Sequence, residues 1–362
     1  MTYDLLVIGN GIAACSALLR LKDSGLSIAV VAPSERPPFK IGETLSPASN
    51  QELRYLGIYD SFLKEPYVKA YSSFSAWGTG VIREKYIWEA KEEAGWYIDR
   101  IGFEEFLWKQ AQHTSFQHFK TKVLTASYHT SYWNITTKTK NNIQARCVLD
   151  CSGRAGIVAR NFTNRERFDQ LVAVYNVLAQ KGSDVDPTLG SLIEPVDNGW
   201  FYSTLLPNKK LVVAYFTDSD ILPTSLDLSE QGWSDVVTKS TLTQKRIQSA
   251  EFNLAGMPKV TDAATIVAST PVIQSLVLAG DAAASFDPLS SHGMTTAVWS
   301  GRKSAEAILG LLENHSEQLM DYQNSLQEGI NQYLFDRVRL YNLEQRFKSN
   351  IFWQRRHSKV QV

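Results

Sequence analysis

Two glycine-marked stretches, one near each end of the chain, hold the residues best suited to chemistry. The first is Gly9-Asn10-Gly11-Ile12-Ala13-Ala14, set between an apolar run and a helical pattern. Gly9 permits a tight turn, and Gly11 lets a phosphate approach the backbone. Ala14 lets the helix pack close to the preceding strand. Ile12 and Ala13 open that helix, where amide donors and the helix dipole meet an anion. This is the pattern of a dinucleotide site. The usual acidic residue after the second strand is missing, since Ala32 or Pro33 stands there, which leaves Ser34 or Glu35 for the adenosine ribose. The second stretch is Gly280-Asp281-Ala282-Ala283, followed by Phe286-Asp287-Pro288-Leu289-Ser290-Ser291-His292-Gly293-Met294. A carboxylate just past a strand end can accept bonds from sugar hydroxyls. A helix starting near Gly293 would stabilise negative charge, as on the N1–C2=O edge of a reduced flavin. His292, beside that edge, either steers a proton or is an ordinary loop histidine.

The elements that must position these residues are legible in outline. Leu5–Ile8 is a continuous apolar run, as in a buried parallel strand. Ile12–Lys22 has helical spacing that ends before Gly25, and Ser27–Val31 is a second strand. Pro33–Pro47 is a proline-rich loop. Helices are predicted over Gln51–Leu56, Phe103–Gln112, 228–250, Thr295–Leu312 and 318–348. Strands are predicted within Tyr71–Trp88 and 119–149, and over Leu171–Leu178, Gly199–Leu206, Leu211–Phe216 and Leu276–Ala279. The fold class is therefore α/β. A Rossmann-like FAD-binding domain is assigned to 1–70, 95–165 and 268–315, a β-rich substrate domain to 71–94 and 166–267, and a helical C-terminal segment to 316–362.

Composition narrows the partners. Lys plus Arg and Asp plus Glu both number 37, so zero net charge argues against nucleic acid or an anionic membrane as the main partner. No stretch reaches the length of a membrane span, and the N-terminus lacks the basic region of a signal peptide. A soluble, cytoplasmic protein is expected. Cys15, Cys147 and Cys151 are spaced neither for a disulfide framework nor for zinc, so core thiols and no metal are expected.

Together the two stretches resemble the FAD-dependent monooxygenase and tryptophan-halogenase superfamily, with its p-hydroxybenzoate-hydroxylase-type fold. The resemblance implies that Asp281, after Gly280, binds the ribityl chain, with Pro288, Gly293 and Met294 beside the flavin. It implies that Arg100, in Tyr97-Ile98-Asp99-Arg100-Ile101-Gly102-Phe103, contacts FAD. Val123 matches the position where the family backbone meets adenine. Gly42-Glu43, in Lys40-Ile41-Gly42-Glu43-Thr44, matches an Ile-Gly-Glu loop beside the flavin, which makes Glu43 and His292 the candidate catalytic residues.

Three departures separate the chain from tryptophan halogenases. Gly199-Trp200-Phe201-Tyr202 lacks their Trp-x-Trp-x-Ile-Pro motif. Ser73-Phe74-Ser75-Ala76-Trp77-Gly78 lacks their relay lysine. Pro288-Leu289-Ser290-Ser291-His292-Gly293 has Ser290 where they carry a glutamate. The resemblance then implies aromatic hydroxylation through a flavin C4a-hydroperoxide in a dry pocket, which Trp200, Phe201, Tyr202, Tyr215 and Phe216 either line or support as core. Gly199–Asp218 and the tail Tyr341–Trp353 look like the flavoproteins that accompany quinone-cofactor amine oxidases. Those flavoproteins imply a peptidyl tryptophan of a precursor oxidase as substrate, with Arg346–Arg356 as a docking candidate. Halogenation, small-aromatic hydroxylation, a reductase-like activity and an assembly role without oxygenase turnover stay open, as does reduction by NAD(P)H or by a separate reductase.

Overall fold

The computed structural model describes residues 2–35, 37, 39–86, 93–180, 190–223, 226 and 228–357. The opening strand Thr2–Ile8 pairs in parallel with Ile28–Val31 on one side and with Asn142–Asp150 on the other. Asn142–Asp150 then pairs in parallel with Leu276–Leu278, in the register Asp150↔Leu278. The two glycine stretches therefore leave the same sheet at the C-terminal ends of parallel strands, which is where α/β sheets place ligands. Gln117–Phe119 extends the sheet beyond Ile28–Val31, and the hairpin Val123–His129/Tyr132–Thr137 joins Asn142–Asp150. Leu5–Ile8, Ile28–Val31 and Leu276–Leu278, in the middle of the sheet, are buried on both faces, which explains their unbroken apolar runs.

The helices Ile12–Arg20 and Gly293–Leu312 approach each other at backbone level where Gly301 meets Ala13. A Cβ on Gly301 would lie 2.2 Å from the Ala13 carbonyl oxygen, and one on Gly280 would lie 3.0 Å from the Ala13 Cβ. Only small residues at 13, 280 and 301 allow this approach. It locks the first and last parts of the sheet together.

A second, seven-stranded sheet draws on Ser72–Ser75 and Arg83–Tyr86 as well as on strands between Leu171 and Asp262. Side chains alternate between its faces. Val174, Phe201, Val213 and Tyr215 face one way and pack on Trp233, Val236 and Ile247. Ala173, Tyr175, Trp200 and Phe216 face the other way, toward Tyr341, Phe352 and Trp353.

Two helix expectations need correction. The helix over 228–250 is two helices, Glu230–Val237 and Leu242–Ser249. The buried Glu194 carboxylate restarts the chain there by accepting from the N–H groups of Thr241, Leu242 and Thr243 at 2.7–2.9 Å. The helix over 318–348 ends at Asn342, and the tail forms its own helix, Ile351–His357. Ser191–Val196 and the edge strand Lys259–Asp262 were not anticipated. Of the strands expected in Tyr71–Trp88, Ile87 and Trp88 lie outside the described residues. No helix among the described residues is long and apolar enough to cross a membrane.

Candidate functional site

Gly9 turns at φ +109°, and a Cβ there would sit 2.5 Å from the Cys151 carbonyl oxygen. Gly11 is the N-cap of the helix Ile12–Arg20. No side chain caps that helix, and a Cβ on Gly11 would meet nothing within 4 Å. The helix Gly293–Leu312 starts in the same way: His292 makes no capping bond, and Gly293 faces open space. Two helix N-termini without a side-chain cap, each opened by glycine, therefore belong to helices in direct contact at Ala13 and Gly301. Gly293 lies eight residues ahead of Gly301, about 12 Å of helix rise from that contact. Amides and dipoles of this kind suit an anion such as the central pyrophosphate of a dinucleotide or the negatively charged edge of a reduced flavin.

Between them lies Asp281, half-buried, with its carboxylate 3.7 Å from Arg154 Nε. Arg165 donates to the Asp281 carbonyl at 3.0 Å and holds the turn. Asp150 is fully buried and accepts from the N–H groups of Ser152, Val158 and Ala159. It shapes the loop against which Gly9 packs. Ser34 is exposed just past the second strand, and Val123 opens its strand four residues after Phe119, the register partner of Val31. Met294 is buried beneath the second helix terminus, and Pro288 opens the short turn before it.

The loop Lys40–Glu43 closes the site from another side. Arg100 Nη1 donates to the Ile41 carbonyl at 2.7 Å. Gly42 turns at φ +123°, and a Cβ there would lie 2.8 Å from that guanidinium. Glu43 is 3 % exposed. Burial pushes its carboxyl up to about 7, partly offset by the Gly42 N–H at 2.7 Å and by Arg100 acting through space. Tyr202 and Tyr175 reach toward it from the second sheet. Burial and then the Glu43 charge raise both phenols, and the Tyr202 hydroxyl lies 3.1 Å from Thr44 Oγ1. Phe39, Ile41 and Leu289 pack on the same aromatic face. His292 is exposed, yet the protein around it lowers its imidazole pKa, with Asp336 pulling the other way.

The structure thus brings Gly9, Gly11, Ala13, Gly280 and Asp281 to one end of one sheet, and sets Glu43 and Arg100 together. Sequence reading missed Asp287, 1 % exposed, which accepts from Tyr341 Oη at 2.7 Å and from the Leu289 N–H at 2.9 Å. Arg337 lies 3.5 Å away, and Tyr341 also accepts from Trp200 Nε1 at 3.1 Å. This network pins the turn ahead of His292 to the C-terminal helices. Of the five aromatics expected around a pocket, Trp200 stacks on Phe216 and Phe201 stacks on Tyr215 as core, which leaves Tyr202 on the Glu43 side. The docking role for Arg346–Arg356 also needs correction. Phe352 and Trp353 are fully buried, Arg356 is paired with Asp218 at 2.6 Å, Arg355 with Asp220, and Arg346 with Glu344.

The fold is that of the FAD-dependent halogenase-like proteins. The halogenase CndH superposes with a TM-score of 0.86 at 19 % identity, covering 98 % of this chain and 86 % of that one. The peptidyl tryptophan dihydroxylase QhpG, described as essential for tryptophylquinone cofactor biogenesis, covers all of this chain and 80 % of its own, with a TM-score of 0.80 at 21 % identity. In sequence, LodB of Marinomonas mediterranea, which bears the name of an FAD-dependent oxidoreductase, is 26 % identical over 99 % of this chain and 97 % of its own. No protein-family profile matches the chain.

Proposed function

We propose that this chain is an FAD-dependent monooxygenase that hydroxylates an aromatic ring, with a tryptophan inside a precursor protein as its substrate. The observation that carries the oxygenase reading is Glu43. It is a buried carboxyl titrating near neutrality, beside an aromatic face, at a position where the resemblance expects the flavin. A group with that pKa can take or give a proton at pH 7.

The residues present fit the cofactor. Gly11 leaves room at an uncapped helix end for the pyrophosphate, and Asp281 has an accessible carboxylate for ribityl hydroxyls. Arg100, Val123 and Ser34 would complete the binding set, with Gly293 and Met294 under the flavin edge. When bound and reduced, FAD supplies the activation of dioxygen. The protein's part is to bind it, to keep water from the aromatic face and to move a proton through Glu43. His292 is the second proton-handling candidate, open to solvent and so placed to exchange with it.

Hydroxylation is favoured over halogenation by the Ser73–Gly78 segment. It has no lysine, and its Trp77 indole is committed to structure: Nε1 donates to the Leu340 carbonyl at 2.8 Å, and the ring packs edge-on against Trp200, Tyr341 and Trp353. The protein substrate is suggested by the shared fold with QhpG, over all of this chain and 80 % of that one. Electrons would come from NAD(P)H or from a separate reductase.

The test is to reduce the purified protein anaerobically and admit labelled dioxygen with and without a quinone-oxidase precursor. Label in a precursor tryptophan is expected. A chloride-dependent product would overturn the reading in favour of halogenation, and precursor binding without incorporation would favour an assembly role. Asp281→Ala should weaken FAD binding about 10- to 100-fold. Unchanged flavin retention would refute the site mapping.

A further inference from the structure

Glu104 lies on the helix Arg100–Ala111, is 1 % exposed and has no part in the site described above. Its two oxygens are divided between two cations. Oε2 takes Lys40 Nζ at 2.6 Å, and Oε1 takes Arg100 Nε at 3.1 Å. Arg100 passes the restraint on through its bond to the Ile41 carbonyl. Lys40 and Ile41 open the stretch whose last residue is Glu43. The far end of that stretch is fixed separately: the Ile98 N–H donates to the Glu43 carbonyl at 2.8 Å, and Thr44 pairs with Tyr97. At the near end the charged ties are joined by an apolar one, with Phe39 against Tyr175 at 5.7 Å.

We propose that Glu104 is a positioning residue that draws Lys40 and Arg100 onto one carboxylate and so holds the loop Lys40–Glu43 closed, with Glu43 out of water. This rests on reading Glu43 as the proton-handling group. A carboxylate as buried as Glu104 is tolerated only when both oxygens are paired. Burial raises its pKa, but Arg100 and Lys40 more than offset this, and it stays below its ordinary value. The two glutamates are therefore coupled. The loop position that pairs Glu104 is the one that strips water from Glu43. Facing Glu43 are Arg100 from the helix and Tyr175 and Tyr202 from the sheet. Lys40 sits behind the loop with its side chain about one-third exposed.

Lys40→Met separates positioning from simple charge. Deleting a cation near a carboxyl should raise its pKa, whereas releasing the loop hydrates Glu43 and lowers it. The experiment follows the Glu43 carboxyl by infrared titration of the full chain, with and without FAD, using Glu43→Gln to identify the band. It also follows hydrogen exchange at the Gly42 amide. In Lys40→Met the Glu43 pKa should fall by about one unit and Gly42 exchange should quicken about tenfold. Lys40→Arg, which keeps the pair, should retain the wild-type values, and Glu104→Gln should shift both readouts in the same direction as Lys40→Met. A raised or unchanged Glu43 pKa with unchanged exchange in Lys40→Met overturns the proposal. If Glu104→Gln does not fold, the two Lys40 variants still decide, because that side chain is not core. Neither readout needs turnover. If both respond while Glu43→Gln keeps full oxygenase activity, the latch stands and the catalytic reading falls.

Discussion

Glu43 and Glu194 are both buried carboxylates, 3 % and 6 % exposed, and they do opposite things. Glu194, in the seven-stranded sheet, accepts from three backbone N–H groups and from the Thr243 hydroxyl. Its charge is met donor by donor, and it starts a helix. Glu43, in the loop against the aromatic face of that same sheet, accepts from its neighbour Gly42 and feels Arg100 only through space. The difference teaches that burial alone does not make a carboxyl reactive. Burial without matching donors does, because the charged form then stays unfavourable and the proton is held near neutral pH.

Substituting Glu43 should give the largest effect. Glu43→Gln should cut the rate of product formation about 10²- to 10³-fold and remove the pH dependence near 7. It should also reveal stored instability. The Glu43 carboxyl is raised in the fold, so wild-type stability is intact below the ordinary carboxylate pKa and is lost as pH rises through about 7. Glutamine has no such proton to lose. Melting curves should therefore show the variant more stable than wild type by about 3 kcal/mol at pH 9 and equal to it at pH 4. Equal stability at both pH values would mean that Glu43 is as well satisfied as Glu194, and the contrast would collapse.

The converse substitution, Glu194→Ala, should destabilise the fold by about 3 kcal/mol in denaturant titrations, because buried donors lose their acceptor. FAD affinity measured on the folded fraction should not change. Asp287 lies between the two extremes, since it is buried and hydrogen-bonded but next to an arginine and a tyrosine. Tyr341→Phe should cost about 1–2 kcal/mol of stability, with a smaller loss of activity as the turn before His292 loosens. A loss as large as that of Glu43→Gln would move the chemistry toward the C-terminal helices.

What the sequence disclosed follows the range of the forces involved. The turn at Gly9 and the helix behind it rest on neighbouring residues, so Gly9-Asn10-Gly11 was readable. Gly280-Asp281 was readable because a short apolar run and a glycine mark a strand end. Arg100 and Glu104 are one helical turn apart, a spacing open to inspection, but Lys40 is 64 residues from Glu104 and no local pattern links them. The break at Ser240 is imposed by Glu194 from another strand. The basic tail reads as a free surface only until Asp218 and Asp287, far upstream, are seen to claim Arg356 and Tyr341.

The contact between Gly301 and the Ala13 backbone also bears on biosynthesis. Ala13 is synthesised 288 residues before the glycine that receives it (301 minus 13). At ~5–20 residues per second a ribosome takes roughly 15–60 s to cover that interval. Throughout it the newborn βαβ unit has one flank uncovered. A ribosome stalled short of Leu276 would display the glycine turn without the strand Leu276–Leu278 that completes the sheet beside it.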